Sequence, residues 1–164
     1  MAGPARTMGD AINQIIERGN RTCDDVIEAH RRVAQIKEDC ADMLKILEQH
    51  KSAQKKTMFA CQGLGNNIEY AEIRAAAAKK IAKDHGKQFP RLKDEYVELD
   101  TRATELKALA CRAQQDLFAA DGRVRHAYQR YKRSKDSLKR ATLELRAREE
   151  AAAKVLRESQ RTRR

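Results

Sequence analysis

The stretch that decides the fold runs from Ile68 to Val155 and reads IEYAEIRAAAAKKIAKDHGKQFPRLKDEYVELDTRATELKALACRAQQDLFAADGRVRHAYQRYKRSKDSLKRATLELRAREEAAAKV. Divided into heptads labelled a to g, with Ile68 at a, it has thirteen apolar or aromatic residues at its thirteen a positions and ten apolar residues at its thirteen d positions. The hydrophobic content of 41% would place only about 11 such residues there. A repeat held this long predicts a coiled coil or a long bundle helix.

The composition supports long helices joined by few loops. Of the 164 residues, 36% are charged and 4% are aromatic, and the chain has 7 glycines and 2 prolines. This profile with a heptad period is typical of long helices. We therefore predict an all-α chain with a single elongated helical domain over residues 10–160, a flexible tail at 1–9 and a basic tail at 161–164.

Three breaks divide the helical pattern. Gly63 to Asn67 combines two glycines with two asparagines, which favours a turn over residues 62–67. Pro90 follows Gly86, so the helix either kinks there or ends and restarts at Pro90. The unchanged heptad phase favours the kink. Asp121-Gly122 is either a turn or a weak point in a helix.

These breaks predict a helical hairpin, or antiparallel coiled coil. Its first helix covers about residues 10–61, and its second covers about 68–120 with a kink near 86–90. The hairpin is favoured because these two helices have similar lengths. A third helix at about 123–160 is left over, and it either folds back as a third bundle helix or projects onto a partner. The alternative is one continuous helix through Gly63–Asn67, since Ile12 and Ile68 are eight whole heptads apart.

The a and d positions together form the seam on which helices are expected to pack. The first helix has a wider apolar stripe, which suits contact with more than one helix. The large apolar and aromatic residues that we assign to the helix–helix seam are Ile12, Val26, Val33, Leu47, Ile68, Phe89, Tyr96, Leu99, Leu106, Leu117, Val124, Tyr131, Leu138 and Leu145.

The excess positive charge lies at the C-terminal end. Residues 1–122 hold 20 Lys and Arg against 19 Asp and Glu, whereas residues 123–164 hold 15 against 5. A helix this basic suits a polyanionic surface, although it also fits a solvated helix face. The residues predicted to contact such a partner are Arg123, Arg125, Arg130, Lys132, Arg133, Lys135, Lys139 and Arg140.

Nothing in the sequence points to catalysis. The four cysteines, Cys23, Cys40, Cys61 and Cys111, form no CxxC pair, and the four histidines are scattered. We therefore expect no enzyme activity, no catalytic residues, no metal, no cofactor and no small-molecule substrate. The N-terminus lacks a secretion signal, and no apolar run is long enough for a transmembrane segment, which favours a cytoplasmic protein.

The function predicted from these features is structural. We expect a scaffolding coiled-coil protein of a larger assembly, with the cytoskeleton (microtubule, axoneme or cilium) as the first choice. Its partners would be proteins such as another coiled coil or tubulin. Association with further copies of the same chain, as a homo-oligomer, is an alternative. The alternatives are a peripheral membrane or trafficking adaptor that contacts anionic membrane through its basic helix, and a nucleic-acid-binding helical module.

Overall fold

The structure is a computed structural model that describes residues 8–162. Two helices, α1 (Met8–His85) and α2 (Arg91–Thr162), hold 97% of these residues, and no strand occurs among them. The prediction of an all-α chain is confirmed, and two helices joined by a short turn are consistent with a helical hairpin. The predicted tails fall mostly outside the described residues, but residues 8–9 belong to α1 and residues 161–162 to α2.

The turn between the helices lies at residues 86–90. The Gly86 N–H donates to the Ala82 carbonyl (2.9 Å), and the amides of Gln88 and Phe89 both donate to the His85 carbonyl (3.0 Å). Pro90 has no N–H to continue α1, but its fixed φ suits the first turn of a new helix. The predicted kink is therefore wrong: the helix ends at His85, and a second helix begins at Arg91.

The predicted turn at residues 62–67 is also wrong. Helix α1 runs through Gly63–Asn67 without interruption, as the alternative of a continuous helix required. Each glycine inside a helix costs about 1 kcal/mol relative to alanine. Half-buried Cys61, Leu64 and Ile68 stay in the heptad phase across this stretch, so their packing can offset that cost.

Because the turn lies at residues 86–90 and not at 62–67, the chain has no separate third helix at about 123–160. Residues 121–122 are helical, and residues 123–160 are the C-terminal part of α2. They neither fold back as a separate helix nor project as one. Within the terminal unit defined below, residues 129–160 pair with the first part of α1, because Arg148 donates to the Asp25 carbonyl (3.2 Å) and Arg32 lies 3.6 Å from Glu144.

The chain divides into two compact units, and each is described by itself. The terminal unit is Met1–Lys45 with Gln129–Arg164, and the turn unit is Ile46–Tyr128. The prediction of a single domain stays a prediction. In the described residues of either unit, neither helix holds a span long and apolar enough to cross a membrane.

The core of the turn unit is thin and made mostly of alanine. The helices run antiparallel, because Gln54 hydrogen-bonds to Asp121 and, further along α1, Glu72 pairs with Lys107. Small side chains at the contact allow two helix axes to approach closely. The buried apolar residues of this unit are Leu47, Ala75, Ala82, Ala103, Ala120 and Ala127.

The terminal unit repeats this arrangement with fewer buried residues. Ala29 on α1 and Ala141 and Leu145 on α2 form its core. The less exposed positions of α1 in this unit follow a spacing of three and four residues, at 15, 19, 22, 26, 29, 33, 36, 40 and 43. This is the a and d spacing of the seam carried back from Ile68, so one phase runs along all of α1.

Twelve of the fourteen residues assigned to the seam are buried or half-buried. The exceptions are Ile12 and Phe89, which are exposed. Phe89 lies in the turn and has no facing helix. Ile12 lies before Ile15, the first shielded position among residues 9–85.

Glycine substitutions distinguish the observed turn from the predicted one. At Gly63 a Cβ would meet nothing within 4 Å, whereas at Gly86 it would overlap the Ala82 carbonyl oxygen. We expect Gly63→Ala to raise the free energy of unfolding by about 0.5–1 kcal/mol. We expect Gly86→Ala to lower it by roughly 1–3 kcal/mol because the backbone must shift. Urea unfolding followed by circular dichroism measures both.

Gly65→Ala is the matched control, since Gly65 is also an open helical position. It should stabilise the chain as Gly63→Ala does. If both changes destabilise the chain, residues 62–67 form the turn and are not helical.

Candidate functional site: the basic face of α2

The eight predicted partner-binding cations all lie on α2 and are all exposed. Arg123 and Arg125 belong to the turn unit. The other six belong to the terminal unit and are here called the basic face: Arg130, Lys132, Arg133, Lys135, Lys139 and Arg140.

Helical spacing places the basic face away from α1. Lys132 and Lys139 are seven residues apart and therefore lie on one line along α2, and Arg133 and Arg140 lie on a second line about 100° further round the helix. Asp136 lies between these two lines. Tyr131 directly precedes Lys132, and Leu138 directly precedes Lys139. Both are half-buried seam residues on the side of α2 that faces α1. Arg130 and Lys135 flank the four central cations.

The cations of the basic face have no acidic partner among the described residues of the terminal unit. The Arg140 Nε donates to the backbone carbonyl of Asp136 (3.5 Å), not to its carboxylate. Asp136 is the one acidic residue between Arg123 and Arg140. The positive charge of this face is therefore directed to solvent and available to a partner.

Acidic residues nearby are used in a different place, across the two helices. The Arg148 guanidinium donates to Glu144 Oε1 (2.7 Å) and to the Asp25 carbonyl (3.2 Å), and Arg32 approaches the second Glu144 oxygen (3.6 Å). His30 lies 3.1 Å from Glu149. These contacts tie α1 to α2 and leave the basic face free.

Sequence reasoning missed the role of Arg148. It occupies one of the three d positions of the heptad pattern that are not apolar, and this was the available signal. A polar residue on a seam often fixes which residues face each other. Here the long side chain stays half-buried and reaches polar groups on both helices.

Polar contacts also cross the helices of the turn unit. The Gln54 side-chain amide donates to the Asp121 carboxylate, so Asp121 is a cross-helix acceptor and not a turn residue. Lys107 Nζ lies 2.6 Å from Glu72. The hydrogen bond and the charge of Glu72 raise the pKa of Lys107 above its ordinary value of 10.5.

The other candidate chemical groups are dispersed. Cys40 and Cys61 are half-buried, Cys23 and Cys111 are exposed, and all four thiols are free. Within residues 8–162 no three His, Cys, Asp or Glu side chains come together as a potential metal site.

No protein-family model matches the chain, and neither curated proteins nor solved structures yield a match.

The role of Glu144 can be tested by removing its charge. Glu144→Gln leaves Arg32 and Arg148 without their shared carboxylate, and we expect the free energy of unfolding to fall by about 0.5–1 kcal/mol, as for a small exposed network. The control is Glu150→Gln, which makes the same charge change at an exposed α2 position that has no ion pair among the described residues. Equal effects in urea unfolding would show that Glu144 acts only through net charge.

The Lys107–Glu72 pair predicts a specific change in titration. Because the folded-state pKa of Lys107 is raised, the pair stabilises the fold below about pH 10.5, and this contribution is lost as the pH rises through the raised pKa. Glu72→Gln should bring the pKa of Lys107 back towards its ordinary value, measured by NMR of ¹³C-methylated lysines. Glu69→Gln, an exposed change three residues away, should leave that pKa in place.

Proposed function

We propose that the chain is a non-enzymatic scaffold built as an antiparallel coiled coil, and that it binds an acidic protein surface through the basic face. The assembly that we propose is cytoskeletal, with the microtubule as the first partner to test. The observation that carries the proposal is the group of exposed cations on α2 that have no acidic partner among the described residues.

The coiled-coil part of the proposal rests on heptad positions. The shielded residues recur every three and four positions in both helices. The ion pairs between helices join like positions: e with e in Glu72–Lys107 and g with g in Arg32–Glu144. Pairing of e and g residues beside an apolar seam is how coiled coils select orientation and partner.

The binding part rests on electrostatics. An exposed ion pair contributes only about 0.2–1 kcal/mol. Several cations on one face can nevertheless sum to a useful affinity when the partner is acidic along the same length. Attraction of this kind also raises association rates and weakens with salt.

The composition of the basic face favours an acidic protein over the two other polyanions. Stacking on nucleic-acid bases requires exposed aromatic rings as platforms. Of the two tyrosines among residues 123–140, only Tyr128 is exposed, since Tyr131 is half-buried on the seam. An inserting membrane helix needs a large apolar face beside its cations. Leu143 is the one exposed large apolar side chain on α2 between residues 129 and 155.

The narrow seam accounts for the non-enzymatic part of the proposal. A catalytic site needs a concave pocket with positioned acid, base or nucleophile groups. A core composed mostly of alanine between two helices leaves little volume for one.

Charge reversal on the basic face tests the function. The variant Lys132→Glu, Arg133→Glu, Lys139→Glu, Arg140→Glu should weaken co-sedimentation with microtubules at least about tenfold at low salt, because each change replaces an attraction by a repulsion. The binding of the unaltered chain should fall steeply as ionic strength rises.

The matched control reverses four exposed lysines elsewhere, with the changes Lys51→Glu, Lys55→Glu, Lys83→Glu and Lys87→Glu. Both variants have the same formal charge, so equal losses would indicate attraction by net charge and contradict a specific basic face. Parallel assays with anionic vesicles and with RNA show whether another polyanion binds more tightly. Tighter binding to either would replace the acidic protein as the partner.

A further inference from the structure

The outer side of α1 in the turn unit is unusually poor in charge. Between Thr57 and Ala78 only three of 22 residues are charged, in a chain whose charged content is 36%. This window is bounded by Lys55-Lys56 on one side and Lys79-Lys80 on the other. The low charge is not explained by the seam alone, because most residues of the window are exposed.

Within this window three large apolar or aromatic side chains lie on the side opposite the seam. Phe59, Tyr70 and Ile73 are 65%, 64% and 62% exposed. They belong to a line of residues spaced alternately by four and three along the helix, at heptad positions c and f, opposite the seam. This line, here called the outer stripe, consists of Phe59, Gly63, Asn66, Tyr70, Ile73 and Ala77.

We propose that the outer stripe binds the outer stripe of a second copy of the chain, with the two α1 helices antiparallel. A closed dimer requires a surface that is complementary to itself about a twofold axis. The outer stripe meets this requirement when the axis passes near Ile68. The proposal does not rest on the basic face, which lies on the other helix.

The complementarity is one of size. In this register each large side chain faces a smaller one of the other copy. Phe59 faces Ala77, and each pair occurs twice because of the twofold axis. Ile73 faces Gly63, where a Cβ would meet nothing within 4 Å in the single chain.

The third pair is polar. Tyr70 faces Asn66, so the Tyr70 hydroxyl can hydrogen-bond to an amide that otherwise faces water. Arg74 lies over the Tyr70 ring (5.7 Å to the centroid) and holds it along the helix surface.

The area is sufficient for a weak dimer. Two aromatic side chains about two-thirds exposed, with Ile73 and their small neighbours, would bury on the order of 500 Å² per copy. The total of about 1,000 Å² lies at the lower limit for a specific interface. We therefore expect a dissociation constant in the micromolar range.

The ends of the interface are set by like charges. The next pair beyond Phe59–Ala77 is Lys56 of one copy with Lys80 of the other, and both lysines are exposed. Their repulsion is screened by salt. Self-association should thus strengthen as salt rises, whereas binding through the basic face should weaken, so the two can succeed or fail separately.

Sedimentation equilibrium of the full chain, from about 1 to about 500 µM, measures self-association. We expect a monomer–dimer equilibrium that Phe59→Ser weakens at least about tenfold. The matched control is Phe118→Ser, because Phe118 is the more exposed ring (75%) and lies on α2 of the same unit. A chain that is monomeric over the whole range, or a dimer weakened equally by both changes, overturns the proposal.

A gain of affinity tests the register. Lys56→Glu places a carboxylate opposite Lys80 of the other copy at both ends of the interface, which turns each repulsion into an attraction and should tighten the dimer several-fold at low salt. Lys55→Glu makes the same charge change one residue off the outer stripe and should have less effect. Equal tightening by both changes rejects the antiparallel pairing. So does an unchanged dimer in Lys56→Glu, which is expected for parallel helices because residue 56 would then face residue 56 of the other copy and one repulsion would replace another.

Discussion

In each unit the structure depends on the seam that α1 and α2 form with each other. In both units α1 and α2 bury small residues against each other, and the buried core among residues 9–161 consists of seven alanines and two leucines. Two packed helices enclose a smaller buried volume than a globular domain does. Large apolar side chains outside the seam therefore stay in contact with water. The same constraint explains why Gln54 and Arg148 can occupy a and d positions of the seam: both are only half-buried, and solvent still reaches their contacts with Asp121 and Glu144.

The heptad pattern predicted most of the fold, because a seam repeats along the sequence irrespective of what the helix packs on. It could not by itself place the turn. Gly63 and Gly65 have low helix propensity, but propensity is a weak signal beside packing that continues through Leu64 and Ile68. Pro90 removes a backbone donor outright, and no packing can replace it. A length argument based on the glycines then created a surplus third helix that the chain does not have.

The candidate site was predicted unevenly for a related reason. Exposed cations on α2 follow from charge and helical period alone, and neither depends on where the turn lies. The contacts of Arg148 depend on which residues of α1 face it, and that register is set by the turn at residues 86–90. With the turn misplaced, the sequence could not pair Arg148 with Asp25, nor Gln54 with Asp121.

Because the turn lies at residues 86–90, the residues of Gly63–Asn67 need a different explanation. In a loop, Gly63 and Asn66 need no further explanation. Inside a continuous exposed helix they are poor choices, because alanine would be about 1 kcal/mol better than glycine. Residues that oppose the local structure are expected where function requires them. Gly63 and Asn66 lie on one line with Phe59, Tyr70 and Ile73, the large exposed side chains of the same face. A small residue and an amide between large apolar groups are what a second, antiparallel helix would need for close approach, and this gives the unfavourable residues a physical purpose.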